Sequence, residues 1–260
     1  MHRFALELAY KGTSFSGWQI QPNAESIQSI LEEKLSLLYH LPVKLVGCGR
    51  TDSGVHAGYF IAHFDLPSTN PIPLNIRSLN ALLPVDISVN NCWIVPPDFH
   101  ARFDAIYRKY IYRLHLNKDP LALVNSTWMR NISKLSEKSL NEAAEIIQGL
   151  HDFRAFVKSG HQLNSFECKI YESRWVETKA GNWEYHIAAN RFLRGMVRLI
   201  VGMTIQYAQG KLSLAQIRAD LETGVQLSQS LSVPAQGLTL EMVKYPEALW
   251  LQKQALNFGV

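Results

Sequence analysis

The sequence predicts an α+β protein of two similar halves, and three observations carry that prediction. Apolar residues alternate with polar ones over many short runs, the two-residue period of half-buried strands. Other stretches place apolar residues three and four apart, the period of amphipathic helices. Their order, β-α-β-β-α-β, occurs twice along the chain, an arrangement seen in ferredoxin-like units. Neighbouring strand segments such as 43–48 and 59–66 are joined by loops too short for a crossover helix. The sheet, shared by the two halves, is therefore expected to be mixed and largely antiparallel. A boundary between Pro96 and Asp104 divides the chain into a first half of 1–103 and a second half of 104–260.

Phe4, Leu6, Leu8 and Tyr10 alternate with Arg3, Ala5, Glu7 and Ala9, which predicts the first strand. Ile27, Ile30, Leu31, Leu35 and Leu38 recur at helical spacing behind two candidate caps, Asn23 and Ser26. Val43–Val46 reads as a short strand entering the glycine-rich segment Gly47–Gly58, and 59–66 alternates again before Pro67. A short helix over 74–83 and a strand over 87–95, stopped by Pro96-Pro97, close the first half. The second half opens with a strand over 106–116. A helix follows through Leu140, Ala143, Ala144 and Ile147, ended by Gly149. Strands over 170–178 and 183–189 precede a helix expected from about Arg191 to Tyr207. Ser213 and Gln216 have capping-box spacing for one more helix, ending at Gly224, and 238–243 is the last strand.

Composition narrows the function classes. The 260 residues are 47% hydrophobic and 18% charged, with 15 glycines and 11 prolines, which excludes disordered and low-complexity classes. A chain of this length buries about 70% or more of its unfolded surface and needs no disulfide or metal staple. The net charge of +4 permits an anionic partner without requiring one. Cys48, Cys92 and Cys168 are sparse, odd in number and form no CxxC, which argues against a secreted disulfide framework and a cysteine zinc site. The first residues show no signal-peptide apolar core, and the most apolar segment, Met196–Ile205, is short and interrupted by Arg198. The expected compartment is the cytoplasm, with no membrane association.

Three clusters carry candidate chemistry. In the first, Asp52 lies at the centre of a loop with four glycines in twelve residues, two residues after Arg50. A neighbouring guanidinium keeps a carboxylate ionised, which suits a nucleophile or base. Spacing alone favours the plainer alternative, an aspartate capping its own turn. No Gly-Lys-Ser/Thr ends the loop, so it is not a nucleotide-binding P-loop. His56 and His63 fit no zinc spacing and read as structural, and Cys48 reads as buried and inert. The second cluster joins Phe99–Phe103, containing Arg102, to Tyr107–Arg113. There Tyr110 and Tyr112 share a face with Leu114, and Lys109 and Arg113 face the other way. Aromatics interleaved with cations fit base stacking beside phosphate contacts, and they also fit an ordinary strand with a solvated edge. The third places Arg191, Arg194 and Arg198 on one face of the expected late helix, with Arg198 deepest in the apolar run and in need of an anionic partner.

Together the clusters resemble the bacterial tRNA pseudouridine synthase A family. Gly49-Arg50-Thr51-Asp52-Ser53-Gly54-Val55-His56-Ala57 resembles its active-site loop; Tyr10-Lys11-Gly12-Thr13 and Gly17-Trp18-Gln19-Ile20-Gln21 resemble its N-terminal strand and turn. Phe99–Phe103 and Lys109–Tyr112 resemble its central motif. Phe192-Leu193, Met196–Arg198 and Val201-Gly202 resemble its late helix, and Gly237–Leu240 with Val243 and Tyr245-Pro246 its closing strand. Lys11, Ser53 and Arg194-Gly195 depart from the common pattern, which bears on substrate range rather than on Asp52, Tyr110 or Arg198.

The resemblance implies helices on one side of the sheet, an RNA-binding cleft formed by a homodimer, and conversion of uridine to pseudouridine at positions 38 to 40 of the tRNA anticodon stem-loop. It implies Asp52 as nucleophile, Arg198 as its partner and Arg50 filling the gap left by the extruded base. Tyr110 is then expected to stack on the uracil and Leu238 to lie near it, with Lys109, Arg102 and Arg194 as further RNA contacts. Neither cofactor nor metal is expected. Two other classes compete. A non-catalytic RNA-binding protein has no need of an aspartate in that loop, and a small-molecule hydrolase using Asp52 with His56 has no need of Arg194 or Lys109.

Overall fold

A computed structural model of the chain describes residues 1–67, 74–132, 134–157, 165–224, 227, 231–250 and 253–255. The chain divides into two compact units, Met1–Tyr107 with Leu240–Val260, and Arg108–Thr239.

The first unit contains β1 (His2–Tyr10), α1 (Ile27–Tyr39), β2 (Val46–Gly47), β3 (His56–Leu66), α2 (Ile76–Leu82) and β4 (Ile87–Val95). Strand β1 pairs antiparallel with both β3 and β4, so Leu6 lies between Ala62 and Cys92. Ala5 and Leu6, on opposite faces of β1, are both inaccessible, while Arg3, Glu7 and Ala9 on the Ala5 face are half-buried. Helix α1 starts at Ser26, whose hydroxyl accepts from Ser29 N–H at 3.1 Å while Ser29 reaches back to Ser26 N–H. Its Ile27, Leu31 and Leu35 are fully buried. Each such side chain contributes about 1.5–3 kcal/mol, against at most about 0.7 kcal/mol per residue from helix propensity, so packing decides this helix.

The second unit contains most of β5 (Tyr107–His115), with β6 (Thr127–Trp128), α3 (Glu137–Gln148), β7 (Ile170–Lys179), β8 (Asn182–Ala189), α4 (Met196–Ala208) and α5 (Leu214–Thr223). Strands β5, β8 and β7 are neighbours in that order and antiparallel, with β6 a short parallel addition to β5. Tyr112, Tyr185 and Trp175 stand opposite one another on one face. Ser173 Oγ, bonded to Tyr185 Oη at 2.7 Å, donates to the Ala144 carbonyl of α3, and Trp175 Nε1 donates to Thr204 Oγ1 of α4. Helices α3 and α4 therefore cover that face. Charged side chains occupy the other: Lys109 meets Glu172 at 2.7 Å and Arg113 meets Glu184 at 2.9 Å. The first half thus follows the expected β-α-β-β-α-β order and the second follows it with β6 and α5 added, ending in β9 (Leu238–Lys244); within each unit the long strands pair antiparallel. The turn α6 (Glu247–Trp250) and strand β10 (Gln254–Ala255) follow, β10 pairing with β4. Among the described residues no helix is long and apolar enough to cross a membrane.

The structure corrects three expectations. The segment from Leu240 onward belongs with the first unit rather than the second, and the boundary falls after Tyr107. Hydrogen bonds tie it there: Ile106 N–H donates to Lys244 O at 2.9 Å and Tyr245 Oη to Ala101 O at 2.7 Å. The strand expected over 43–46 is only Val46–Gly47, because α1 side chains take the backbone groups of Val43 and Leu45. The late helix begins at Met196, not Arg191. Gly195 sits at φ +74°, a left-handed conformation that stops the helix from extending backward. Arg191 and Arg194 precede the helix and do not share a helical face with Arg198.

Candidate active site

Asp52 lies in the connection between β2 and β3, and this loop is held through its neighbours. Asp52 O accepts from Val55 N–H at 3.1 Å, closing a turn through Gly54 at φ +83°. Thr51 is buried, its hydroxyl 2.9 Å from Tyr10 Oη and its carbonyl accepting from Trp18 N–H at 3.2 Å. Ser53 Oγ donates to Phe15 O at 3.1 Å. His56 Nδ1 accepts from Gly12 N–H at 3.1 Å, so this buried imidazole holds backbone as a neutral acceptor. The loop is fixed on both sides of the aspartate while Asp52 itself is half-buried and Arg50 is exposed.

Two glycines of the first turn make this fit possible. A Cβ on Gly17, which has φ +86°, would lie 2.4 Å from Thr51 O, and one on Gly12 would lie 1.9 Å from Val55 O. The sequence places both glycines in family-like motifs, but only the structure shows that the aspartate loop rests on their bare backbone. Below them Trp18 stacks on Phe60 at 4.2 Å, with Tyr10 5.6 Å from the same ring.

Arg102 belongs to a turn at the end of the same unit. His100 Nδ1 accepts from both Arg102 N–H and Phe103 N–H at 3.2 Å, and His63 Nδ1 accepts from Ala101 N–H at 3.1 Å. Burial, reinforced by Arg3 and His100, pushes the His63 pKa down to about 4. The turn presents an exposed Phe103 ring stacked on His100 at 4.2 Å, with the Arg102 guanidinium 5.7 Å from its centre. The histidines expected to be structural hold backbone, and Cys48, expected to be inert, is fully buried.

The remaining candidates lie in the second unit. Tyr110 projects to the buried face of β5 and meets Phe192 at 5.3 Å between ring centres, with the rings nearly perpendicular at 86°. Lys109 projects to the opposite face. Burial pushes the Glu172 carboxyl up, but Lys109 and Arg174 outweigh it, and its pKa is lowered. Arg198 is half-buried; its Nε donates to Val233 O at 2.7 Å, and Arg198 O accepts from Val233 N–H. Arg194 is exposed and Leu238, opening β9, is buried. Arg108, which sequence reasoning passed over, is buried and donates to Asn190 O at 2.7 Å, tying β5 to the chain just before Phe192.

A family profile described as tRNA pseudouridine synthase matches residues 143–246. Similarity to complete relatives extends much further. A tRNA pseudouridine synthase A from Porphyromonas gingivalis is 42% identical over 254 residues, covering 96% of this chain and 100% of the relative. Its counterpart from Parabacteroides distasonis is 39% identical, with 96% and 98% covered, and that from Bacteroides fragilis is 38% identical, with 96% and 99% covered. Similarity along whole chains, rather than in one motif, makes this protein a member of the tRNA pseudouridine synthase A family.

Proposed function

We propose that the enzyme converts uridine to pseudouridine at positions 38 to 40 of the tRNA anticodon stem-loop, with Asp52 as nucleophile and with no cofactor. The observation that carries this reading is the way Asp52 is held: both of its neighbours are hydrogen-bonded to the first strand and turn, while Asp52 itself is half-buried. A preorganised nucleophile needs that combination, since positioning supplies much of the rate of a reaction of this kind.

The reaction breaks the bond between ribose C1′ and uracil N1, forms one from C1′ to C5, and moves the C5 proton away as N1 gains one. Atoms and electrons balance without an oxidant or an activated group. Asp52 supplies the negative charge that this exchange needs at the sugar or the ring. Arg198 is its partner and orients it, and Arg50 occupies the space of the extruded base. Tyr110, steadied by Phe192, stacks on the uracil beside Leu238 and is the candidate to move the C5 proton. Arg102, Arg194 and Lys109 contact RNA, with Arg102 and the exposed Phe103 ring suited to stacking as well as to phosphate. Base extrusion costs a few kcal/mol and is easiest near a loop, which fits an anticodon stem-loop target. The protein acts as a homodimer in the cytoplasm.

The test is tritium release from an unmodified tRNA transcript labelled at uridine C5, without metal or nucleotide. Wild type should release label and form pseudouridine, and Asp52→Asn should lose at least a thousandfold in rate while binding tRNA within about threefold of wild type. Substantial turnover by Asp52→Asn would overturn the assignment.

A further inference from the structure

Gln28, Glu32 and Ser36 stand four residues apart on α1 and form one row along the helix. The row is turned inward, with Gln28 8% and Glu32 5% exposed, and it runs beside the backbone of residues 43–45. Ser36 Oγ accepts from Val43 N–H and Glu32 Oε1 accepts from Leu45 N–H, each at 2.9 Å. Gln28 Nε2 donates to Leu45 O and to Glu32 Oε1, again at 2.9 Å. Side chains thus take both backbone groups of Leu45 immediately before β2 begins, and the row replaces a strand partner.

Gln28 also reaches the other segment against the aspartate loop. Its Oε1 accepts from Ile20 N–H at 3.2 Å and from Gln19 Nε2 at 2.9 Å, and its own N–H donates to Trp18 O at 3.1 Å. Trp18 N–H in turn donates to Thr51 O. One buried amide therefore connects the chain entering the loop with the turn on which the loop rests. Lys44 closes the outer side through Glu32 Oε2 at 2.9 Å. Burying a carboxylate and an amide is costly, and apolar residues of similar size fill space with less penalty. What apolar residues cannot do is fix the peptide of Leu45.

We propose that Gln28 and Glu32 are positioning residues for Asp52, setting the placement of its carboxylate through Leu45 on one side and Trp18–Ile20 on the other. The proposal rests on the reading of Asp52 as nucleophile.

The test compares single-turnover tritium release, tRNA affinity, urea stability and amide exchange of the full-length enzyme. Gln28→Ala and Glu32→Ala should each lose at least tenfold in rate, bind tRNA within twofold of wild type, and exchange faster at Leu45 and Thr51–Val55. Glu32→Gln keeps an acceptor for Leu45 N–H and should recover most of the rate. Ser36→Ala and Lys44→Ala should stay within twofold of wild type in rate, whatever they cost in stability. Should Glu32→Ala fail to fold, Gln28→Glu places a carboxylate against Leu45 O and must show the same rate loss. Unchanged rates in the Gln28 and Glu32 variants would overturn the proposal, as would losses that track stability across all the variants including Ser36→Ala. Full activity of Asp52→Asn would instead remove the nucleophile reading, and the exchange data would still report whether the clamp holds the loop.

Discussion

Replacing Gly17 by alanine adds one methyl group thirty-five residues from Asp52 in sequence and directly against its loop. The added Cβ would lie 2.4 Å from Thr51 O, 3.0 Å from Asp52 C and 3.1 Å from Ser53 N. Real Cβ atoms stay at least 3.0 Å from such neighbours and usually beyond 3.4 Å, so the loop and the turn must separate by 0.6–1.0 Å at the Thr51 carbonyl. Alanine at φ +86° adds backbone strain of about 1–2 kcal/mol. Together with the usual ~1–3 kcal/mol of overpacking, the expected loss of stability is about 2–5 kcal/mol. The rate should fall as well, because about 1 Å of misplacement at a catalytic group costs on the order of a hundredfold, or about 2.7 kcal/mol of barrier. Single-turnover tritium release and urea denaturation, with tRNA affinity as a third measurement, separate these effects. Gly49→Ala provides the comparison within the loop itself, since a Cβ there meets nothing within 4 Å and its stability should match wild type within about 0.5 kcal/mol. If Gly17→Ala folds normally and keeps its rate within twofold, the loop does not depend on that close approach and the reasoning fails.

Two further outcomes follow from buried contacts. His63 has its pKa lowered to about 4 from 6.5, so between those values the unfolded chain binds a proton that the folded chain refuses. The stability it contributes is complete above about pH 6.5 and is lost as pH falls toward 4. The ceiling from this shift is about 3 kcal/mol, and solvent near the exposed turn reduces the expectation to about half. Urea midpoints of wild type and His63→Gln at pH 7.5 and 4.5 should converge on acidification, and a gap unchanged by pH would refute this. In α4, a Cβ on Gly202 would lie 1.6 Å from Leu231 O, so Gly202→Ala should destabilise the protein by at least about 2 kcal/mol, read from the urea midpoint. A midpoint equal to wild type would show that the 231–233 segment does not hold Arg198 as described.

Local signals made most elements legible and could not reveal what distant contacts impose. Ser26 and Ser213 cap their helices as their spacing predicts, because a cap is settled within four residues. At Ser213 only half of the expected box forms: its hydroxyl accepts from Gln216 N–H, but the Gln216 side chain turns to Asp220. The late helix starts later than its pattern predicts because Arg191, Arg194 and Arg198 keep a helical period through a residue whose φ is positive, and periodicity does not register φ. Strand β10 carries no pattern of its own; its two residues are a strand only because β4 is beside them. Asp52 stood out through the company of glycines and Arg50. Nothing local marked Gly17 as its support, because that contact joins residues far apart in the chain.

Lys109 shows how the same limit applies to charge. From the sequence it groups with Arg102 and Arg194 as a cation awaiting phosphate. In the structure Ala188 of β8 stands opposite both Lys109 of β5 and Glu172 of β7, and the two long side chains meet at 2.7 Å. A larger residue at Ala188 would occupy the space through which they reach each other, so the ion pair depends on a small neighbour that carries no charge signal. Arg174 adds a second cation to Glu172 at 2.9 Å, leaving this group of three with one net positive charge rather than two. Lys109 therefore has two functions to reconcile. It pins β5 to β7 across the central strand, which fixes the strand that carries Tyr110, and whatever it offers to RNA is the part of its charge that Glu172 leaves uncompensated. Removing it should disturb the placement of Tyr110 as well as the attraction of phosphate, which separates it from the exposed Arg102 and Arg194, whose side chains stand at the surface.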